Sequence, residues 1–187
     1  DNMKIILSIL MLIMFKDSVK AQNNYQTKYD TCNYYRQFEG EWRYINGNDT
    51  VRVYLKTLRI YFSPIDLDGG LFRDDLIGWH EYKQGNNIIE SNYQSRFLPL
   101  SSCILYAPPL KYSIDLNFWK EFGSCNTSSR ILVGDFVDIS RIGQWCQAKA
   151  EINPAITEMH FVHWPHAPCK VQPCGTTLPA EMTLIKQ

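Results

Sequence analysis

Hydrophobic and polar positions alternate in several short stretches of this chain, and turn residues separate them. Val51, Val53 and Leu55 alternate with Arg52, Tyr54 and Lys56, the period of a strand with one buried face. A strand from Gly40 to Ile45 precedes it, joined by the turn Asn46-Gly47-Asn48-Asp49. Asn and Gly tolerate the positive φ angles that tight hairpins require. Leu58 to Phe62 extends the same strand until Ser63-Pro64. Asp66 to Asp75, centred on Gly69-Gly70, has the composition of a loop. Leu76 to Lys83 and Asn87 to Tyr93 form a second predicted hairpin around Gln84-Gly85-Asn86.

The later part of the chain keeps the pattern after an irregular stretch. Pro99, Pro108 and Pro109 break residues 98–129. Within it, Cys103 to Ala107 is a candidate short strand, and Ile114, Phe118 and Phe122 have the spacing of a helical stripe. Ile131 to Ile139 is apolar on both faces. Cys146, Ala148, Ala150 and Ile152 alternate with Gln147, Lys149 and Glu151. Thr157 to Trp164 and Ala180 to Ile185 follow. About eight or nine short strands of this kind predict an all-β, antiparallel barrel or sandwich. A chain of 187 residues fits one such domain.

The first residues predict export rather than structure. Ile5 to Phe15 is an apolar run behind Met3-Lys4, too short to span a bilayer but suited to a signal peptide. Val19-Lys20-Ala21 has the spacing of a cleavage site, so residues 1–21 are expected to be removed. Residues 22–37, polar and tyrosine-rich, form a lead-in arm, and residues 38–187 form the barrel domain. No second long apolar segment follows, so no stable membrane anchor is expected. The predicted location is periplasmic or secreted. Lysine plus arginine balances aspartate plus glutamate at 19 each. That balance gives no counterion-release drive toward nucleic acid and no polybasic attraction to lipid.

Cys32, Cys103, Cys125, Cys146, Cys169 and Cys174 all follow the leader. An even number in an exported chain points to disulfides. Cys169 with Cys174 closes a small loop, Cys103 with Cys125 staples the irregular stretch, and Cys32 with Cys146 remains by elimination. The competing reading is buried thiols that pack as small hydrophobes.

Three motifs in order carry a family resemblance. They are Phe38-Glu39-Gly40-Glu41-Trp42 with Asn48-Asp49-Thr50; Asp75-Leu76-Ile77-Gly78-Trp79-His80-Glu81-Tyr82 with Gly85-Asn86; and the ending Leu178-Pro179-Ala180-Glu181-Met182-Thr183-Leu184-Ile185-Lys186. Together they resemble a family of exported proteins from flavobacterium-type bacteria, described as domains of unknown function and similar to lipocalin-like domains. The resemblance implies a single lipocalin-like barrel and no established activity. It transfers no functional residues.

Candidate chemistry is sparse. There is no Gly-x-Ser-x-Gly, no His-Glu-x-x-His and no catalytic cysteine context, and no catalytic residue or cofactor is expected. Asp66-x-Asp68-Gly69-Gly70 hints at a calcium loop, but Leu71 and Ile77 stand where that loop needs glycine and glutamate. His160, His163 and His166 are the best metal candidates by residue type. On a strand His160 and His163 point to opposite faces, so His163 and His166, brought together beyond Pro165, are the candidate ligands. Glu81 and Glu90 pair across the second hairpin as ordinary exposed charges. Aromatics make up 13% of the chain, and core packing is their first use. The sharper expectation is that Trp42, Tyr44, Trp79 and Tyr82 line a cavity for a small apolar ligand. Trp42 is also expected to close one barrel end, with Gly40 letting the backbone approach closely. A binding or envelope-associated barrel, a metal protein, and a structural or interaction module all remain open.

Overall fold

In the computed structural model, residues 26–62, 71–98, 112–117, 130–141, 145–165 and 176–187 are described. They contain strands β1 (Gln26–Lys28), β2 (Gly40–Asn46), β3 (Asp49–Phe62), β4 (Leu71–Gln84), β5 (Asn87–Ser91), β6 (Ile114–Asn117), β7 (Ile131–Val137), β8 (Trp145–Ile152), β9 (Glu158–Pro165) and β10 (Glu181–Lys186). One short helix, α1 (Tyr34–Phe38), precedes β2, and a 3-10 turn (Tyr93–Phe97) follows β5.

Eight strands close into one antiparallel barrel in chain order: β2, β3, β4, β6, β7, β8, β9 and β10, with β10 returning to β2. This is an up-and-down meander, which leaves no free edge in the closed part. Strand β4 organises the closure. One edge pairs with β3 along its whole length, from Leu71↔Phe62 to Gln84↔Asp49. The other edge is shared: β1 pairs parallel at Leu71–Arg73, β6 antiparallel at Leu76–Gly78, and β5 antiparallel from Glu81 to Gln84.

Two glycines let the barrel close. A Cβ on Gly134 of β7 would sit 2.0 Å from the backbone oxygen of Asp115 on β6. A Cβ on Gly78 of β4 would meet Leu55 at 2.6 Å and Ile114 at 3.1 Å. Without side chains at these two places, β6 can lie against both neighbours.

The interior follows the period of two. Trp42, Val51, Val53, Leu55, Leu76, Tyr82, Leu132, Phe136, Ala148, Ala150, Met159, Phe161, Met182 and Leu184 belong to one buried cluster. Tyr35 and Phe38 of α1 join it, so the helix packs across the barrel as a plug. On the other face, Glu41, Arg52 and Glu81 lie in ion-pair range, and Tyr93 donates its hydroxyl to Glu41 Oε2 at 2.6 Å. These contacts pin the 3-10 turn against the outside of the sheet.

The predicted strands recur, with corrections. Strand β4 starts at Leu71, so Asp74 and Asp75 stand on a strand rather than in a loop. Arg59 holds Asp74 at 2.9 Å and Arg73 holds Asp75 at 2.7 Å, which lets acidic residues occupy ladder positions. Ile114 begins β6 rather than a helix; Phe118, Phe122 and the proposed strand at 103–107 lie outside the described residues. Gly40 is not at a close approach, since the nearest foreign atom to a Cβ there would be Lys186 Cε at 3.8 Å. Its φ of +110° is what requires glycine. Cys146 is a buried thiol in the interior, so it is not the disulfide partner of Cys32. Cys103, Cys125, Cys169 and Cys174 lie outside the described residues, as do residues 1–21.

Candidate functional site

The barrel interior is apolar through its centre and polar at one place. His80 points inward from β4, and both ring nitrogens are engaged. Nε2 is hydrogen-bonded to Glu90 Oε1 at 2.5 Å, and Nδ1 to Ser113 Oγ at 2.6 Å. His80 is fully buried, Ser113 is 1% exposed and Glu90 5%. Asn92 ties the same place to the backbone. Its Oδ1 accepts the His80 N–H at 2.9 Å, and its own N–H donates to the His80 carbonyl at 3.1 Å.

The chain of contacts continues through the second Glu90 oxygen. Oε2 accepts the Ser140 N–H at 3.1 Å. The Ser140 hydroxyl donates to Asp138 Oδ1 at 2.8 Å, and the Thr177 N–H donates to Asp138 Oδ2 at 2.6 Å. Asp138 is fully buried. Burial alone would raise its pKa, but the Thr177 N–H, the hydroxyls of Ser140 and Thr177 and the Glu90 carboxyl hold it below the usual aspartate range. Residues from β4, β5, the approach to β6, the turn after β7 and the approach to β10 thus meet in one network.

His163 faces this network across Phe136. The Phe136 ring lies 5.3 Å from the His80 ring and 4.7 Å from the His163 ring. His163 Nε2 donates to the Pro179 carbonyl at 2.9 Å, because a carbonyl can only accept. Its Nδ1 is buried with no hydrogen-bond partner. Burial pushes the His163 pKa down, against the raising effects of the Pro179 carbonyl and Asp138, and His80 lowers it further. A neutral ring with its proton on Nε2 leaves Nδ1 as an acceptor lone pair.

This has a measurable consequence. The folded state resists protonating His163, whereas the unfolded chain protonates it near the usual value of 6.5. The contribution is fully present above that pH and is lost as pH falls below it. His163→Phe is expected to flatten the acid side of the stability profile relative to wild type. Urea midpoints measured across pH 4 to 8 check this, and parallel profiles for the two proteins would refute it.

The expected site residues divide between faces. Trp42 and Tyr82 are buried in the interior cluster, and half-buried Tyr44 packs against that cluster. Trp79 lies in a separate outer cluster with Ile77, Tyr54, Leu58 and Tyr112, so the four aromatics do not line one cavity. His160 is on the outer face, 2.7 Å from Glu181, opposite to His163 as the strand period requires. His166 lies outside the described residues. Among the described residues no three His, Cys, Asp or Glu side chains are placed to hold a metal ion.

The network is what sequence reasoning missed. A regular hairpin register pairs Glu90 with Glu81 as a surface charge. A β-bulge between Tyr82 and Lys83 shifts the register, so Glu90 stands opposite Tyr82 instead. One place of slip turns a side chain to the other face, and Glu90 goes inward to His80. The available signal was His80 at the strand position between Gly78 and Tyr82, on the face that Leu76 and Tyr82 bury.

Ser113, His80 and Glu90 are the residue types of an acyl-transfer triad. Here the serine is buried and its hydroxyl also lies 3.4 Å from Asn92 Oδ1. Attack on a substrate needs an exposed oxygen beside oxyanion donors, and this arrangement instead links five segments of the fold.

The geometry defines a closed up-and-down β-barrel with an apolar centre and a polar end. The chain belongs to a family of unknown function (DUF6705), whose model matches residues 3–187. No curated protein and no solved structure matches it.

Proposed function

We propose that this is an exported, non-enzymatic binding protein of lipocalin-like type that takes one small ligand at the polar end of its barrel. The observation that carries the reading is the His163 ring. Its Nδ1 is a buried acceptor without a partner, and the His163 ring lies 4.7 and 6.0 Å, centroid to centroid, from the rings of Phe136 and Phe161. A buried polar atom left unpaired costs roughly 1–3 kcal/mol, and a ligand that supplies a donor recovers it. The ligand class is therefore a small apolar molecule bearing one O–H or N–H group. Export rests on the order of charge, apolar run and small residues in 1–21. The meander that returns its last strand to its first supports the lipocalin-like comparison.

Phenol and indole serve as probes for residues 22–187 labelled with 15N-histidine. Either probe is expected to move the His163 ring nitrogen resonances and raise the thermal midpoint, and His163→Phe is expected to abolish both effects. If neither probe moves the ring or the midpoint, the barrel is a self-filled structural module. Stoichiometric zinc that disappears in His163→Ala combined with His166→Ala would make the place a metal centre instead.

A further inference from the structure

The outer face of the barrel holds a groove of about 500 Å³ beside the turn from β8 to β9, within the range of small-molecule sites, roughly 300–1,000 Å³. Ile131, Glu151, His160 and Thr183 stand in register across β7, β8, β9 and β10, and all four line it. Arg130 and Glu158 line it from either side of the end of β8. The Ile152 N–H donates to the Arg130 carbonyl at 3.0 Å, and the Asn153 N–H donates to the Glu158 carbonyl at 3.0 Å. The backbones that carry the two charges are therefore two strand spacings apart, roughly 10 Å. Pro154 adds an exposed apolar wall, and Ile131 is 40% exposed. The turn that carries Pro154 is fixed. Asn153 Oδ1 accepts the N–H groups of Thr157 and Glu158 at 2.9 and 3.2 Å, and Ile156 is held at a φ of +58° while it packs against the interior cluster. A β-branched residue adopts that backbone only where its surroundings impose it.

We propose that this groove binds a small zwitterion, an amino acid or dipeptide with an apolar side chain, whose carboxylate meets Arg130 and whose ammonium meets Glu158. The charges around the groove carry the argument. Lys149 holds Glu151 at 2.8 Å, and Glu181 lies 2.7 Å from His160 Nε2. The side chains of Arg130 and Glu158 have no hydrogen-bond or ion-pair partner among the described residues. One charge of each sign is thus open to a ligand, on opposite sides of one concave place. A guanidinium presents a fork that matches a carboxylate, and a carboxylate accepts the hydrogen bonds of an ammonium. A ligand with a single charge satisfies one side and meets its like charge on the other: an anion faces Glu158, and a cation faces Arg130. Contacts of about 3 Å at each end of a span of roughly 10 Å leave on the order of 4 Å between the ligand's own charges, the scale of an amino acid or a folded dipeptide. Ile131 and Pro154 supply apolar surface for its side chain. A turn fixed before the ligand arrives lowers the ordering cost of binding.

The test is an NMR titration of residues 22–187 labelled with 15N-histidine, followed at the His160 ring. L-leucine represents a free amino acid, and glycyl-L-leucine represents a peptide fragment. Saturable binding of either supports the site, and the tighter one identifies its source. Isocaproate is leucine without its ammonium, and isoamylamine is leucine without its carboxylate. Each is expected to bind at least about tenfold more weakly than leucine, because one charge contact is left unmade. Arg130→Gln and Glu158→Gln are each expected to weaken binding of the tighter probe by a similar factor, with the thermal midpoint unchanged, since neither side chain holds another part of the described fold. Dissociation constants weaker than about 10 mM for both zwitterions, half-molecules that match leucine, or variants that keep wild-type affinity would overturn the proposal. The groove lies on the outer face with His160, whereas His163 points inward, so His163→Phe leaves leucine binding unchanged and the two readings fail independently.

Discussion

Replacing Trp42 with alanine lowers stability by about 3–5 kcal/mol, the range for deleting a buried tryptophan. The residue has no exposed surface. Its indole N–H donates to the Phe38 carbonyl at 2.7 Å, which satisfies a carbonyl in the last turn of α1. The same ring lies 5.1 Å from Lys186 Nζ, and Lys186 in turn donates to the Gln37 carbonyl at 3.1 Å. Trp42 therefore joins the plug helix, the first barrel strand and the last one. Losing it leaves a cavity and frees the helix at once. Trp42→Phe keeps most of the volume and loses the hydrogen bond, so its cost is smaller, about 1–2 kcal/mol. The alanine variant should lower the thermal midpoint by on the order of 10 °C for a chain of this size. A midpoint unchanged from wild type would show that the helix does not depend on this residue.

The strands were legible where one face is buried and the other is wet. Val51 to Lys56 and Cys146 to Ile152 alternate without interruption, and both sit in the barrel with the predicted residues inward. The opposite placement of His160 and His163 followed from the same period. Legibility failed where a charge sits on a strand beside its own partner. Asp74 and Asp75 have the composition of a turn, but Arg59 and Arg73 hold them in the ladder. Arg59 lies fifteen residues from Asp74 and leaves no local trace, whereas Arg73 is two residues from Asp75 and shares its strand face only once the strand is known. Ile114 failed for another reason. Its spacing to Phe118 fits a helix, yet Gly78 and Gly134 leave room for a strand at that place, a fact visible only once β4, β6 and β7 are neighbours. The polar end was hidden by a single bulge. A regular hairpin from Gln84↔Asn87 puts Glu90 opposite Glu81 on the surface, and the extra residue moves it opposite Tyr82.

That inward turn makes Glu90 the second place where one substitution has a large effect. Glu90→Leu leaves His80 Nε2 without its hydrogen-bond partner and the Ser140 N–H without its acceptor. Breaking a buried polar pair from one side costs about 3–5 kcal/mol, because the remaining member stays buried and unmatched. Glu90→Gln keeps an oxygen in place and should lose less. The double variant His80→Leu with Glu90→Leu separates two explanations. If the cost comes from the stranded partner, removing both groups restores part of the stability, and the losses are less than additive by at least about 1 kcal/mol. Urea unfolding of the four proteins completes the cycle. Additive losses would mean that His80 and Glu90 each act through separate neighbours. Coupled losses would mean that His80 and Glu90 act as one buried pair that joins β4 to β5 at the polar end of the barrel.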